Sequence, residues 1–573
     1  MLNQTPLAWS QNKENILNAI AEAKGRGASI LCLPELCITG YGCEDAFYAP
    51  GVHRTAAEVL YEILPHTKGL IVSLGLPIMY QNRIFNAAAL VVDGEIQGFV
   101  AKQFLAGNGI HYEPRWFTPW VEGVVSQVSL PNDPTRTYPM GDIFFNIAGT
   151  KLGFEICEDA WVANRPGRRL YQHGVDIILN PSASHFAFDK LEVRKRFVLE
   201  GSRAFGTCYV YANLLGNEAG RAIYDGGTLI ASSGELLAVG ERLSFHDHLL
   251  TTAVADIAAA RMAQSQASSV FNVPYLNEHC IEVAFDFPDI DPEPRRTLDK
   301  PWEHSQFLQE EEFARALAVG LCDYLRKSHS KGFIVSLSGG ADSAACACCA
   351  YMMIELGIES IGLEAFKNKL HHISAIQDCQ SAQDIAKKTI TLAYQSTENS
   401  GEVTRSAASN LAKGLNGTYY EVSVDTIFKD YRKAIEEALG RDLSWEADDI
   451  ALQNIQARVR APSVWMLANI TGSLLVSTSN RSEAAVGYAT MDGDTSGGIS
   501  PIAGIDKAFL RQWLKWLETE GVDGRLNIPE LHEVNIQQPT AELRPQSSKQ
   551  TDEDDLMPYD LLDAVEEAAI RDK

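Results

Sequence analysis

Long apolar runs are missing from this sequence: no stretch of about 18 uninterrupted apolar residues occurs in its 573, so no membrane-spanning helix is expected. Positive charge is short as well. Forty-nine Lys plus Arg stand against 74 Asp plus Glu, and the formal charge of −25 repels nucleic-acid phosphates and anionic lipid at long range. Neither nucleic acid nor membrane is therefore an expected partner. Cysteine is sparse. Eleven cysteines, an odd number, do not make a secreted disulfide scaffold, and most read as buried thiols. Cys346, Cys348 and Cys349 sit in an Ala/Cys-rich stretch that reads as the packed face of a helix, with no matching second pair of the kind a zinc site uses. The opening residues MLNQTPLAWSQNKEN have no basic region followed by an apolar run, so a reducing cytoplasm is the expected location. Two catalytic signatures are also absent, the GxxxxGK[ST] phosphate loop and the GxSxG serine elbow.

What is present is a chain with 46% apolar and 21% charged residues, long enough for two cores. Its first part alternates a helix-like stretch (NILNAIAEAKGRG) with short apolar runs such as SILCLPEL, GLIVSLGLPIMY, NAAALVVDGEIQGFVAK, VDIILNPSAS and GTCYVYANLLG. Runs of this length, ended by Gly, Pro or Asp, read as strands, and Asp93-Gly94 reads as a hairpin turn. The expected architecture is an α/β sandwich over residues 1–270. Residues 271–305 are rich in Pro and Asp and read as a linker, leaving 306–573 as a second domain.

The second domain opens on FLQEEEFARALAVGLCDYLRK, a helix with an acidic first turn and a basic last turn. GFIVSLSGGADSAACACCAYMMIELG then switches from buried strand to Gly-rich loop to apolar helix, a nucleotide-type βα unit. IESIGLEAF, TLAYQSTENS, TYYEVSV and GSLLVSTSN read as further parallel strands, giving a doubly wound sheet. In the Gly-rich loop, the backbone N–H groups of Gly339, Gly340 and Ala341 can face a diphosphate, with Ser338 and Ser343 as hydroxyl donors. Asp342 inside such a loop needs a divalent cation to offset its repulsion of phosphate, and Glu483, just past a later strand end, is placed to share it. Thr478, Ser479 and Asn480 follow that same strand, and Lys507 offers positive charge for an anionic transition state.

SGGADS, TENSG at 397–401, NIQARVR at 454–460, STSNRSEAAVGYATMDGD, PTAEL at 539–543 and DEDDLMPY at 552–559 together resemble the synthetase domain of the NAD synthetases, N-type ATP pyrophosphatases with a Rossmann-like sheet. That resemblance implies ATP and deamido-NAD as substrates: the nicotinate carboxylate is adenylated, diphosphate leaves, and ammonia displaces AMP. It also implies Asp342 and Glu483 as Mg2+ ligands, Thr478 near the adenylate, and Asp494 and Lys507 near the nicotinate. Arg405 and Arg460 become candidates for phosphate or carboxylate contacts. The chain departs from the family pattern at TENSG, where a second Ser commonly stands.

In the first domain Cys157 lies in KLGFEICEDAW, among Glu155, Glu158 and Asp159, carboxylates that raise a thiol pKa and so demand a partner for its proton. Lys102 in FVAKQFL and Glu35 in LCLPELCITGY stand at strand ends, where side chains converge. Nucleophile, general base and oxyanion partner are the roles such a set can fill. PEL followed by GY, AKQFL and EICED resemble the three motifs of the nitrilase superfamily, and NPSASHF at 180–186 resembles the amidase domain of glutamine-dependent NAD synthetases. This implies an αββα sandwich, L-glutamine as substrate, Glu35 as base, Lys102 as oxyanion partner and Cys157 as nucleophile. The resemblance further implies a homo-oligomer, and a shielded passage for ammonia, which free in water at neutral pH is mostly unreactive ammonium. Two other readings fit the same residues: amidation of a different carboxylate, and ammonia-only synthesis above a non-catalytic first domain.

Overall fold

A computed structural model describes residues 1–218, 220–266, 279–291, 293–294, 296–297, 300–538, 543–544 and 551–571. The chain divides into two compact units, Met1–His304 and Ser305–Lys573.

The first unit holds two large sheets. One has six strands in the spatial order Ile30–Cys32, Ile71–Tyr80, Arg83–Val92, Glu95–Ala101, Asp133–Gly141 and Val125–Leu130. The other has eight, with Phe144–Ile147, Thr150–Phe154, Ile177–Pro181 and Cys208–Ala212 at its centre. Side chains from the two sheets meet between them: Ile71, Leu90, Val92 and Val100 pack in one core with Phe145, Phe154, Ile177 and Leu179. The opposite face of the six-stranded sheet, with Val72, Leu74, Ala89 and Val91, packs against Ile16 and Ile20 of helix Trp9–Gly25 and Val59 and Leu60 of helix Pro50–Ile63. Helix Lys190–Phe205 covers the other sheet through Val198, against Ile178, Tyr209 and Leu229. The order is helix, sheet, sheet, helix. Both faces of the central strands, such as Ile71–Tyr80, Arg83–Val92 and Ile177–Pro181, are buried, which is why these read as continuous apolar runs, whereas Val125–Leu130 and Asp133–Gly141 at one edge are largely exposed. The Asp93-Gly94 turn has positive φ at both residues, 50° and 88°, as a two-residue hairpin of this type requires.

The expected boundary at residue 270 moves. Within 271–305, the reading as a linker gives way to strand Cys280–Val283, which pairs in parallel with Phe144–Ile147 at the edge of the eight-stranded sheet. Trp302 is buried under Arg242, whose guanidinium carbon lies 5.1 Å from the indole centroid. A four-residue edge strand within Pro/Asp-rich sequence leaves almost no periodic signal, and its pairing comes from the sheet it joins. Residues 271–278 lie outside those described.

In the second unit a parallel sheet has the order Thr418–Ser423, Ile390–Ser396, Phe333–Ser336, Leu474–Val476. Chain order along it is third, second, first, fourth, the doubly wound pattern, and its direction reverses between Phe333–Ser336 and Leu474–Val476. Val464 and Ala468 of helix Ala461–Thr471 pack on Ile334, Ala393 and Leu475. Helix Ala341–Ile361 is by length and composition apolar enough to cross a membrane, but fourteen of its residues, including Cys346, Cys348 and Cys349, are buried within this unit. IESIGLEAF, expected as a strand, is the end of that helix followed by helix Leu363–Lys369; Gly362, at φ 82°, makes the break. The two isoleucines before a glycine mimic a strand and turn, and the helix already running through them overrides that preference.

Candidate active sites

In the first unit, Glu35 stands in the turn after strand Ile30–Cys32, and the neighbouring strand makes room for it. A Cβ on Gly75 would fall 2.3 Å from the backbone nitrogen of Leu36, so only glycine lets the turn lie this close. Lys102 follows strand Glu95–Ala101 and continues its ladder, donating its N–H to the Asn86 carbonyl at 2.9 Å. Its ammonium is fully buried and donates to Glu35 Oε1 at 2.6 Å and Glu113 Oε1 at 2.8 Å. Asn86 Nδ2 also donates to Glu35 Oε1, at 2.7 Å, whereas Glu35 Oε2 is buried with no hydrogen-bond partner among the described residues. Glu113 is fixed in turn by Tyr41 Oη at 2.7 Å and by the Ala106 N–H at 3.0 Å.

Cys157 begins the short 3-10 turn Cys157–Ala160, directly after strand Thr150–Phe154 and its two-residue exit, and its φ is +47°. The carboxylates around it are divided. Glu155 turns away into Arg165, Tyr209 and the Gly167 N–H. Asp159 accepts from the N–H groups of Gln103 at 3.1 Å, Phe104 at 2.8 Å and Ile156 at 2.9 Å, so one carboxylate clamps the loop after Lys102 to the turn that carries Cys157. Glu158 stays half-buried.

Burial sets the electrostatics here. It pushes the Glu35 carboxyl up to about 7; Lys102 opposes it and Glu113 adds to it. Burial acts to lower the Lys102 ammonium, but Glu113 and Glu35 outweigh it and hold the group well above its usual range. Burial also pushes the Cys157 thiol up, Glu35 reinforces this, and Lys102 pulls it down. Burial thus favours the neutral form of the Cys157 thiol, with the Glu35 carboxyl raised toward neutrality and electrostatically coupled to it.

In the second unit a cleft opens where the chain order reverses, at the carboxyl ends of strands Phe333–Ser336 and Leu474–Val476. Ser338, Gly340, Asp342, Ser343 and Thr478 line it, with Arg460, Glu483, Asp494 and Lys507 facing them. Gly339 has φ +84°, and a Cβ there would lie 2.2 Å from the Thr404 carbonyl oxygen. The loop is closed by Ser338 and Ser343, whose hydroxyls are 3.0 Å apart, with the Ser338 N–H donating to Ser343 Oγ at 3.1 Å. Lys507 Nζ is ion-paired with Asp342 Oδ2 and lies 3.4 Å from Glu483 Oε1. Asn480 caps helix Arg481–Val486 through the Glu483 N–H at 2.9 Å and donates to Asp342 Oδ1 at 2.9 Å, which ties the two carboxylate-bearing elements together. Burial pushes Glu483 up to about 8, Asp342 adds to this, and Lys507 opposes it. Burial likewise raises Asp494, against the pull of Arg460.

The family models agree with this division. The one described as carbon-nitrogen hydrolase matches residues 2–265, and the one described as NAD synthase matches 313–572. The glutamine-dependent NAD(+) synthetase of Saccharomyces cerevisiae is 32% identical over 98% of this chain and 83% of its own length. A crystal structure of a glutamine-dependent NAD(+) synthetase from Cytophaga hutchinsonii is 43% identical and superposes with a TM-score of 0.81 over all of this chain and 85% of that one. The chain belongs to the glutamine-dependent NAD(+) synthetases. A structure of the enzyme from Acinetobacter baumannii in complex with adenosine diphosphate, 20% identical, shares the fold with a TM-score of 0.67 over all of this chain and 87% of that one.

Of the residues expected at the synthetase site, all but Gly339 and Arg405 line the cleft. Gly339 shapes the loop from behind. Arg405 lies outside the cleft on helix Glu402–Gly414, half-exposed and paired with Glu421 at 2.9 Å and Glu402 at 3.7 Å, because two neighbouring carboxylates already claim its guanidinium. Of the PTAEL segment only Leu543 is described, and it lines the cleft. In the first unit, sequence reading missed Glu113, the second partner of Lys102. It stands in HYEPRW, in the four-residue helix Glu113–Trp116, where the only signal is an acidic residue before proline in a first turn. Asp342 and Glu483 are hard oxygen donors whose mutual repulsion is relieved here by an ammonium, and among the described residues no group of three or more His, Cys, Asp or Glu side chains forms a metal cage. Two carboxylates, with the remaining positions left to water and phosphate, is the donor set that suits Mg2+.

Proposed function

We propose that the first unit hydrolyses L-glutamine with Cys157 as nucleophile, and that the second uses the ammonia to convert deamido-NAD to NAD. The thiol sulfur attacks the side-chain amide carbon of glutamine while Glu35, through its unbonded Oε2, takes the thiol proton. Lys102, held between Glu35 and Glu113, stabilises the developing oxyanion. The C–N bond breaks, ammonia leaves with a proton returned by Glu35, and water then cleaves the glutamyl thioester. In the second unit the nicotinate carboxylate attacks the α-phosphorus of ATP and diphosphate departs over the loop built by Ser338, Gly339, Gly340 and Ser343. Ammonia then attacks the acyl carbon and AMP is released. Bound at Asp342 and Glu483, Mg2+ would supply charge neutralisation for the diphosphate. Arg460 and Asp494, which face each other, and Lys507 are the side chains available to the dinucleotide; Thr478 is available to the adenylate.

The observation that carries this reading is the buried Glu35–Lys102–Glu113 cluster facing Cys157, in a chain whose other unit holds a complete loop, carboxylate and lysine set. Nitrogen-labelled glutamine tests it. Label should enter NAD made by the native chain. Cys157→Ala should lose that route and keep synthesis from ammonium salt; equal loss of both would defeat the division of labour.

A homo-oligomer is part of the same proposal. Ile427, Tyr431, Ile435 and Leu439 recur every four residues along helix Asp425–Leu439 and are 48%, 54%, 51% and 56% exposed, a stripe that a second copy would cover. Light scattering that returned the mass of a monomer would remove this part. A reducing cytoplasm as location is supported by the eleven cysteines, all free thiols.

A further inference from the structure

Lys507 occupies both carboxylates assigned above to the cation. Its ammonium is paired with Asp342 Oδ2 and reaches Glu483 Oε1 at 3.4 Å, while Asp342 Oδ1 is taken by Asn480 Nδ2. Two cations at the same oxygen repel each other strongly in a buried site, so ammonium and divalent cation exclude one another there. Lys507, only 3% exposed, needs another anion whenever it gives these two up.

One is in place. Asp552 is 6% exposed, lines the same cleft, and receives the Tyr559 hydroxyl on Oδ2 at 3.1 Å. Its other oxygen, Oδ1, is buried with no hydrogen-bond partner among the described residues. A buried carboxylate oxygen left unbonded is costly, so it marks a place for a donor. The ring of Tyr559 is already within cation–π reach of Lys507, 5.6 Å from Nζ to its centroid. Lys507 also pulls the Asp552 carboxyl down, against the upward push of burial. The seat is anchored: helix Tyr559–Glu566 is held by Arg481, which donates to Asp563 at 2.8 Å and Glu566 at 3.0 Å.

We propose that Asp552, with the ring of Tyr559, is a second seat for the Lys507 ammonium, taken up when a divalent cation occupies Asp342 and Glu483. The seat makes Asp552 a positioning residue: it fixes where the lysine stands in the loaded cleft. Neither Asp342 nor Glu483 could be filled cheaply without it, because an unpaired ammonium would be left buried. The inference rests on the assignment of those two carboxylates to the cation.

Mn2+ binding to the full chain, followed by electron paramagnetic resonance with no nucleotide present, tests it without reference to turnover. Asp342→Asn and Glu483→Gln should each weaken Mn2+ binding; if neither does, the cation assignment and this proposal both fall. With that dependence intact, Asp552→Asn should weaken Mn2+ binding about fivefold to tenfold, the low end for such a coupling. Lys507→Met should tighten it by removing the competitor, and adding Asp552→Asn to Lys507→Met should then change nothing. An Asp552→Asn effect that is absent in the native background, or equal in both backgrounds, overturns the second seat alone, as does unchanged or weaker binding by Lys507→Met. Should Asp552→Asn fail to fold, Asp552→Ser is read by the same outcomes.

Discussion

The buried ammonium of Lys102 is shared by two carboxylates, and these are not equivalent. Glu35 has one oxygen without a hydrogen-bond partner among the described residues, whereas both oxygens of Glu113 are engaged. Glu113→Gln should therefore lower glutamine hydrolysis by about 100-fold, at the low end for a group supporting proton transfer, and leave ammonia-driven synthesis unchanged. Measured rates with the two nitrogen sources check this. With Glu35 as the base proposed above, it must be ionised to accept the thiol proton; burial pushes its carboxyl up to about 7, so kcat/KM for glutamine should fall as pH drops through that value. Glu113 is one of the charges that hold Glu35 up, so the Glu113→Gln profile should have its acid limb at lower pH. An unshifted limb would assign it to another group. At this scale Glu35, Lys102 and Cys157 were legible in the sequence, because the motifs that carry them are local. Glu113, Asn86 and Tyr41 were not legible, since their importance lies in contacts across 11 to 72 residues of chain that no spacing rule encodes.

Elements are placed here by glycines at a few crowded points. Gly339 combines φ +84° with a 2.2 Å approach to the Thr404 carbonyl, so Gly339→Ala has to distort the loop or the helix start that bears Thr404. A loss of about 1–3 kcal/mol in the second unit and of ATP binding is expected, with glutamine hydrolysis retained. Calorimetric titration with ATP and a glutaminase assay on the same preparation check it. The buried parallel strands Phe333–Ser336 and Ile390–Ser396 and the helix dipole pattern of Leu308–Lys327 were readable from sequence because apolar runs and terminal charge leave strong local marks, whereas IESIGLEAF misled. Cys280–Val283 was not, for a strand added at a sheet edge owes its existence to the neighbour it pairs with.

Each unit has its own core, so the chain should not unfold in one step. Two calorimetric transitions are expected, with ATP plus Mg2+ raising only one of them and a glutamine analogue only the other. A single transition raised by both would mean that the units unfold as one. The partition near residue 304 was visible as a change of pattern, but its position was blurred by a segment whose composition resembles a tether while part of it, Cys280–Val283, joins the eight-stranded sheet of the first unit. Since both units leave the ribosome as one polypeptide, they are always present in equal copy number. Expression level, dilution on cell division and turnover act on supplier and consumer alike, and no change in gene dosage can make one outrun the other.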